Sequence, residues 1–314
     1  MTGTAAILML AAGVAAGAGA SPEGWRLVWS DEFDGPAIDR GKWDFDVDCW
    51  GGGNNERQCY TDDPRNVAIK DGRLVITARK ERTTGAAFPL SQRGEPGKAS
   101  ATATKDYSSA RLVTRGRAAW TYGRIEVRAK LPQGQGTWPA IWMLPERPGY
   151  GSWAASGEID ILEAVNLGVR CDDCAGGMEN RILGTLHFGG PAPGNMQKGE
   201  ETALPAPIDG FHVFGIEWSE GKIVWTVDGR PYASQQAGDW RTTGSSNPAA
   251  PFDQPFHLIL NLAIGGGLAE GRGLKGVDPS GYSKMMEVDW VRVWQCGEDD
   301  ASRSRCAGSG GRKD

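Results

Sequence analysis

Short runs in which apolar and polar residues alternate recur between residues 25 and 294. The clearest are 25-WRLVWS-30, 73-RLVITAR-79, 109-SARLVT-114, 122-YGRIEVRAKL-131, 211-FHVFGIEW-218, 222-KIVWTV-227, 256-FHLILNL-262 and 287-EVDWVRVW-294. They are rich in β-branched and aromatic residues, and Gly, Pro, Asp and Asn separate them. A period of two with those boundaries predicts strands, and after residue 21 almost nothing carries a helical period. Ser219-Glu220-Gly221 predicts a hairpin between two of the runs, and Asp228-Gly229 a second turn. Residues 80–105 are polar and contain Gly, Pro and Ser, so they predict a long surface loop. In 287-EVDWVRVW-294, Val291 and Val293 alternate with Trp290 and Trp294. Such a strand either lies inside a sheet with its second face covered or lines a Trp-rich groove. No internal repeat and no linker divides the chain. The expected architecture is an all-β sandwich or barrel forming one domain over residues 21–296, followed by a polar tail at 297–314.

Composition narrows the class. Hydrophobic residues make up 39% and charged residues 23% of 314, which supports a sizeable core. The 13 Trp exceed what a core usually asks for, so some are expected to face a ligand. The net charge is −5 with no long basic run, which argues against nucleic acid and anionic membrane as partners. The first 20 residues, ending in Ala18-Gly19-Ala20, have the apolar length and small-residue end of a signal peptide, although no basic residue precedes Arg26. A secreted or periplasmic location is therefore expected. Six Cys fit an oxidising compartment and allow about 15 pairings. Cys49 with Cys59, across a Gly-rich loop, is the favoured pair. Cys296 with Cys306 would tie down the tail, and Cys171 with Cys174 would clip a loop. A metal reading of that CxxC lacks a second ligand pair, and a redox reading lacks a βαβ setting.

The chemistry concentrates in 157-GEIDILEA-164. Glu158 and Asp160 are two apart and share a strand face. Glu163 is five from Glu158, so a regular strand would turn it away. A β-bulge between Asp160 and Glu163 would return it to the same face, and bulges are common beside active sites. Two carboxyl groups held close in this way are what glycoside hydrolysis needs, one as nucleophile and one as acid/base. Like-charge coupling among three acids should raise at least one pKa, and raising it at Glu163 would keep that group protonated as a general acid. A solvated strand face is the plain alternative, but Ile159, Ile161, Leu162, Ala164 and Val165 around the acids are not a surface pattern. The EF-hand spacing that would suit calcium is absent.

The runs 121-TYGRIEVRAKLPQGQGTWPAIWMLP-145 and 153-WAASGEIDILEAV-165 resemble the family 16 glycoside hydrolases, in their laminarinase-type branch. So do 54-NNERQCYT-61, 71-DGRLVIT-77, 108-SSARLVT-114, 184-GTLHFG-189, 260-LNLAIGG-266 and the runs at 211–218 and 287–294. The resemblance covers about residues 25 to 295. It implies a β-jelly-roll sandwich of two antiparallel sheets with a concave cleft. It implies Glu158 as nucleophile, Glu163 as acid/base and Asp160 between them. The ExDxxE spacing separates this branch from lichenases and xyloglucan transglycosylases, which carry ExDxE. Substrate contacts are implied at Asn54, Glu56, Arg111, Trp138, Trp142, Trp153 and His187, with Trp142 equally suited to the core and Glu56 to loop support. A structural calcium ion is implied at Glu32, the Gly72 carbonyl and Asp289, remote from the acids. No cofactor is implied for catalysis. The chain departs from the family pattern at Cys59, where an aromatic residue is common, and in the longer segment 166–180, which would wall one end of the cleft. The implied activity is secreted, retaining endo-hydrolysis of β-1,3-glucan by a monomer. The alternatives are a hydrolase of mixed-linkage glucan, agar, porphyran or carrageenan, or a non-catalytic glucan-binding protein.

Overall fold

The computed structural model describes residues 21–297 and Cys306; the expected signal peptide and the rest of the expected tail lie outside the described residues. Two large antiparallel sheets face each other. The back sheet runs β17 (Arg230–Gln236), β16 (Lys222–Val227), β15 (His212–Ser219), β10 (Gly123–Lys130), β19 (Lys284–Cys296), β5 (Arg73–Ala78) and β4 (Val67–Lys70), with β1 (Trp25–Asp31) also paired to β19. The front sheet runs β14 (Asn195–Ala203), β13 (Arg181–Gly189), β12 (Glu158–Ala164), β11 (Thr137–Pro145), β18 (Phe256–Ile264), β9 (Arg111–Val113) and β2 (Asp44–Phe45). Two ribbons lie outside them, β3 (Gln58–Tyr60) with β8 (Tyr107–Ser109) and β6 (Thr83–Ala86) with β7 (Thr102–Lys105). One short helix, α1 (Gly266–Gly271), follows β18. Among the described residues no helix is long and apolar enough to cross a membrane.

The core lies between the sheets. Leu74, Ile76, Ile125, Val127, Val291 and Val293 enter it from the back, and Ile141, Met143, Ile159, Leu186, Leu258 and Leu260 from the front. Each such side chain contributes roughly 1.5–3 kcal/mol by leaving water. Alternation therefore dictates which residues remain on the outer face of the front sheet. On β18, Leu258, Leu260 and Leu262 point inward, leaving Ile259, Asn261 and Ala263 outward.

Most predicted strands are present, and both predicted turns are hairpins, Ser219 pairing with Lys222 and Val227 with Arg230. The run at 109–114 breaks at Ala110, and its two halves enter different sheets. Residues 80–105 are not one loop: they carry the β6–β7 ribbon. β11, with Pro139 inside it, and β14, polar on both faces, were not expected. β14 is an edge strand exposed along almost its whole length, so it had no apolar face to reveal it. β19 combines the two options: it is an inner strand between β10 and β5, and on its outer face Trp290 and Trp294 line a cavity with Arg292, whose guanidinium sits 4.3 Å over the Trp290 ring. The three expected cysteine pairs are all disulfides.

Candidate active site

The acids sit on β12, and the strand is bulged where their spacing requires it. Asp160 pairs with Thr185 and Glu163 with Leu183, so Gly184 alone opposes Ile161 and Leu162. On the other side the register slips as well, with Ile141 opposite Leu162 and Trp142 opposite Asp160. Ile161 and Leu162, although adjacent, both enter the core. That double inward step returns Glu163 to the face of Glu158 and Asp160. A residue of the back sheet holds the bulge: Trp225 on β16 donates from Nε1 to the Asp160 carbonyl oxygen at 2.8 Å. Gly184 makes room for that indole, since a Cβ there would lie 2.4 Å from Trp225 Cδ1.

Each glutamate receives an indole N–H. Trp153 Nε1 donates to Glu158 Oε2 at 2.9 Å, and Trp138 Nε1 to Glu163 Oε1 at 3.0 Å. His187, opposite Glu158 on β13, brings Nε2 to 3.1 Å from Asp160 Oδ2 and 3.6 Å from Glu158 Oε1. Its Nδ1 is buried without a hydrogen bond. Burial pushes all three carboxyls up, to about 8. Repulsion from Asp160 adds to the rise at both glutamates, while His187 and the indole donors oppose it. Loss of water is thus the larger cause, ahead of the charge repulsion expected from the sequence. Groups this close titrate as a unit.

The other expected contact residues divide. Trp153 is 44% exposed and Asn54 is exposed, so both are open to a ligand. Trp142 stands on the outer face opposite Asp160, not in the inter-sheet core, and donates to Asn261 Oδ1 at 2.6 Å. Trp138 is 8% exposed and packs with Val165, Ala263 and Ala269. Arg111 is equally buried and lies against the rings of Tyr60 and Trp142, 4.5 and 5.3 Å from their centroids. Its Nε has no hydrogen-bond partner. Glu56 is buried and accepts from Gln58 Nε2 at 2.7 Å, Tyr60 hydroxyl at 3.3 Å and Asn54 Nδ2 at 3.3 Å. It organises the loop that presents Asn54.

The expected calcium donors do not fit a cation as they are arranged. Glu32 accepts two hydrogen bonds from Arg292, at 2.8 and 2.9 Å. Asp289 is paired with Arg128 and lies 3.7 Å from Arg73 Nε. Both carboxylates therefore face guanidinium groups. Among the described residues, two clusters bring possible ligand atoms within 4.8 Å of one another, Cys171–Asp173–Cys174 and Glu158–Asp160–His187. The first has its sulfurs tied in a disulfide and offers no thiolate. The second is the acid cluster itself.

Three contributors were missed in the sequence. Asn261 is a polar residue in an otherwise apolar strand, a signal that was available. It also donates to the Tyr60 hydroxyl at 3.1 Å, joining Tyr60 to Trp142. Trp225 and Gly184 gave no local signal, because their role depends on a contact between sheets.

The sequence profile of glycosyl hydrolases family 16 matches residues 54–292. The chain is 42% identical over 286 residues to a beta-glucanase of Rhodothermus marinus, covering 86% of this chain and 85% of that one. It is 38% identical to a glucan endo-1,3-beta-glucosidase of Cryptopygus antarcticus, covering 86% and 92% respectively. The crystal structure of the laminarinase from Rhodothermus marinus superposes with a TM-score of 0.69 at 40% identity, covering 87% of this chain and 98% of that one. With the jelly-roll sheets and the bulged acid strand already in place, these likenesses make the chain a member of glycosyl hydrolase family 16, an enzyme of its laminarinase-type branch.

Proposed function

We propose that the chain is a secreted, retaining hydrolase that cleaves internal bonds of β-1,3-glucan. The observation that carries this reading is the bulge on β12, which puts Glu158 and Glu163 on one face with a separate indole donor on each. The substrate class is supported by the relatives named for β-glucan and 1,3-β-glucan. Export is supported by the three disulfides.

The environment divides the roles. Asp160 shares a hydrogen bond with Glu158. Glu158 and Asp160 share a proton and face Trp153 and His187, whereas Glu163 receives only Trp138. The first charge of the cluster therefore forms on the Glu158–Asp160 pair, and Glu163 keeps its proton at neutral pH. Glu158 attacks the anomeric carbon while Glu163 protonates the departing glycosidic oxygen, leaving a glycosyl ester on Glu158. Glu163, now ionised, takes a proton from water, the water attacks the same carbon, and Glu158 is released. His187 faces Asp160 and Glu158 and orients the pair. Trp153 and Trp142 offer apolar faces to sugar rings.

Reducing-sugar release from laminarin, lichenan, agarose and carrageenan, with the protein and its Glu158→Gln variant, tests the reading. Release from laminarin that vanishes in the variant is expected, with retained configuration in the first product by NMR. Release from a galactan instead would overturn the substrate, and an inverted first product would overturn the mechanism. Laminarin binding without release from any polymer would identify a glucan-binding protein.

A further inference from the structure

The outer face of the back sheet, on the far side of the core from the acids, carries a cavity of its own. Val291 and Val293 of β19 enter the core, so Trp290, Arg292 and Trp294 point the other way. On β10 they stand opposite Arg128, Glu126 and Arg124 respectively. The next strand, β15, places Val213, Gly215 and Glu217 opposite those three. Gly215 leaves this face open in the middle, since a Cβ there would lie 2.9 Å from Glu126 Cγ and 3.1 Å from Thr226 Oγ1. The cavity measures about 410 Å³. The three β19 residues line one side, Arg124 and Glu126 the middle, and Val213 with the Asp228–Gly229 turn the other. The volume falls within the ~300–1,000 Å³ of small-molecule sites.

Its charged groups are already paired. Arg124 holds Glu126 and, at 2.7 Å, Glu217, while Arg292 holds Glu32. Asp228 accepts from the Val213 amide at 2.8 Å and lies 2.8 Å from His212 Nδ1. In the lining, Arg124 and Arg292 balance Glu126 and Asp228, so a polyanion gains nothing there. What is left is a set of fixed donors and acceptors beside indole rings. Sugar hydroxyls need the first and the apolar faces of sugar rings need the second. Trp290 is still partly exposed although Arg292 covers one side of its ring. Because the ion pairs hold their side chains in place, little ordering is needed when a ligand arrives.

We infer that this cavity is a second, non-catalytic site for a β-glucan chain, on the face opposite the acids, with Trp290 as its stacking platform. The identity of the sugar rests on the proposed function; the position and chemistry of the cavity do not. The core separates the cavity from Glu158 and Glu163, so it holds a stretch of polymer other than the one being cleaved. On a glucan particle it keeps the enzyme at the surface between turnovers. On a short oligosaccharide in solution it adds nothing to cleavage.

Insoluble β-1,3-glucan particles and laminarihexaose, used side by side, test the site. Particle binding is measured with Glu158→Gln also present, so that the particles are not consumed. Trp290→Ala is expected to weaken particle binding about fivefold and to slow particle hydrolysis by a similar factor. Its kcat/KM on the hexaose should stay within about twofold of the parent value. Trp290→Phe, which keeps a ring, should recover most of the loss. Val213→Gln extends a longer side chain into the cavity from the other side and leaves every ion pair in place. It should cost about threefold on particles alone. If Trp290→Ala does not fold, Val213→Gln decides: particle binding equal to that of the parent would overturn the site. Losses of equal size on particles and hexaose would overturn it too. So would a dimer in solution that dissociates in Val213→Gln, which would make a second copy of the chain the occupant. All these results leave the proposed function standing. Failure of the unmodified protein to cleave β-1,3-glucan in either form would instead overturn the proposed function, and the sugar assigned to the cavity with it.

Discussion

The two sheets treat partly or wholly buried acids in opposite ways. On the back sheet, Glu126 and Glu217 share Arg124, Asp289 takes Arg128, and Glu32 takes Arg292. Every one of these carboxylates has a guanidinium in contact. On the front sheet Glu158, Asp160 and Glu163 lie in one field with no guanidinium in contact, only two indoles and an imidazole. Their pKa values rise accordingly. The same side chain is a structural ion on one face and a proton carrier on the other. What decides is whether the neighbouring strands supply arginine or tryptophan.

The contrast breaks most sharply at the proton donor. Glu163→Gln keeps the shape and removes the proton, so kcat on laminarin should fall about 10³-fold. A loss below tenfold in steady-state assays would show that Glu163 is not the acid. The next largest effect is expected inside the sandwich. Gly184→Ala drives a methyl into Trp225 and disturbs the bulge, which should lower kcat about 10- to 100-fold with little change in KM. Trp225→Phe, which removes the bond to the Asp160 carbonyl and shrinks a buried ring, should lower kcat in the same direction by less. Unchanged kcat in both variants would mean that the bulge needs no support from the back sheet.

The complementary experiment removes a cation from the back sheet. Arg124→Met leaves Glu126 and Glu217, both mostly buried, without their shared partner. Urea unfolding should show a loss of about 3 kcal/mol, with kcat within about twofold of the original. Loss of activity without loss of stability would contradict the division between sheets. The smallest effect concerns pH. The front acids have folded-state pKa values near 8, above their ordinary values near 4. Between those limits the folded chain binds more protons than the unfolded chain, so these groups stabilise the fold fully at low pH and less as pH rises toward 8. Glu163→Gln removes one of them. Its melting temperature should therefore gain on that of the parent as pH increases from 5 to about 9. A constant difference over that range would mean that the acid is not desolvated. Activity should decline on the alkaline side as Glu163 loses its proton.

Much of this was legible in the chain. The alternating runs located the inner strands, because a half-buried sheet writes its face into every second residue. The spacing of Glu158, Asp160 and Glu163 called for a bulge because no regular strand satisfies it. β14 was invisible, since an exposed edge strand has no apolar face. Trp142 stayed ambiguous because an indole suits a core and a cleft equally, and only its pairing opposite Asp160 decides. Glu56 suited a sugar contact or loop support, and its hydrogen bonds turn inward to Gln58 and Tyr60, which favours the second. Trp225 and Gly184 act through a contact between sheets that no local pattern encodes.

The bulge has a consequence for insertions and deletions. Removing Ile161 or Leu162 would turn ExDxxE into ExDxE, and the acids would still share a face on a regular strand. The deletion would, however, withdraw one large side chain from the core and pull the Asp160 carbonyl away from Trp225. Catalytic spacing is thus linked to interior volume. A chain can cross from one spacing to the other only if the indole and the glycine opposite it are replaced in the same step.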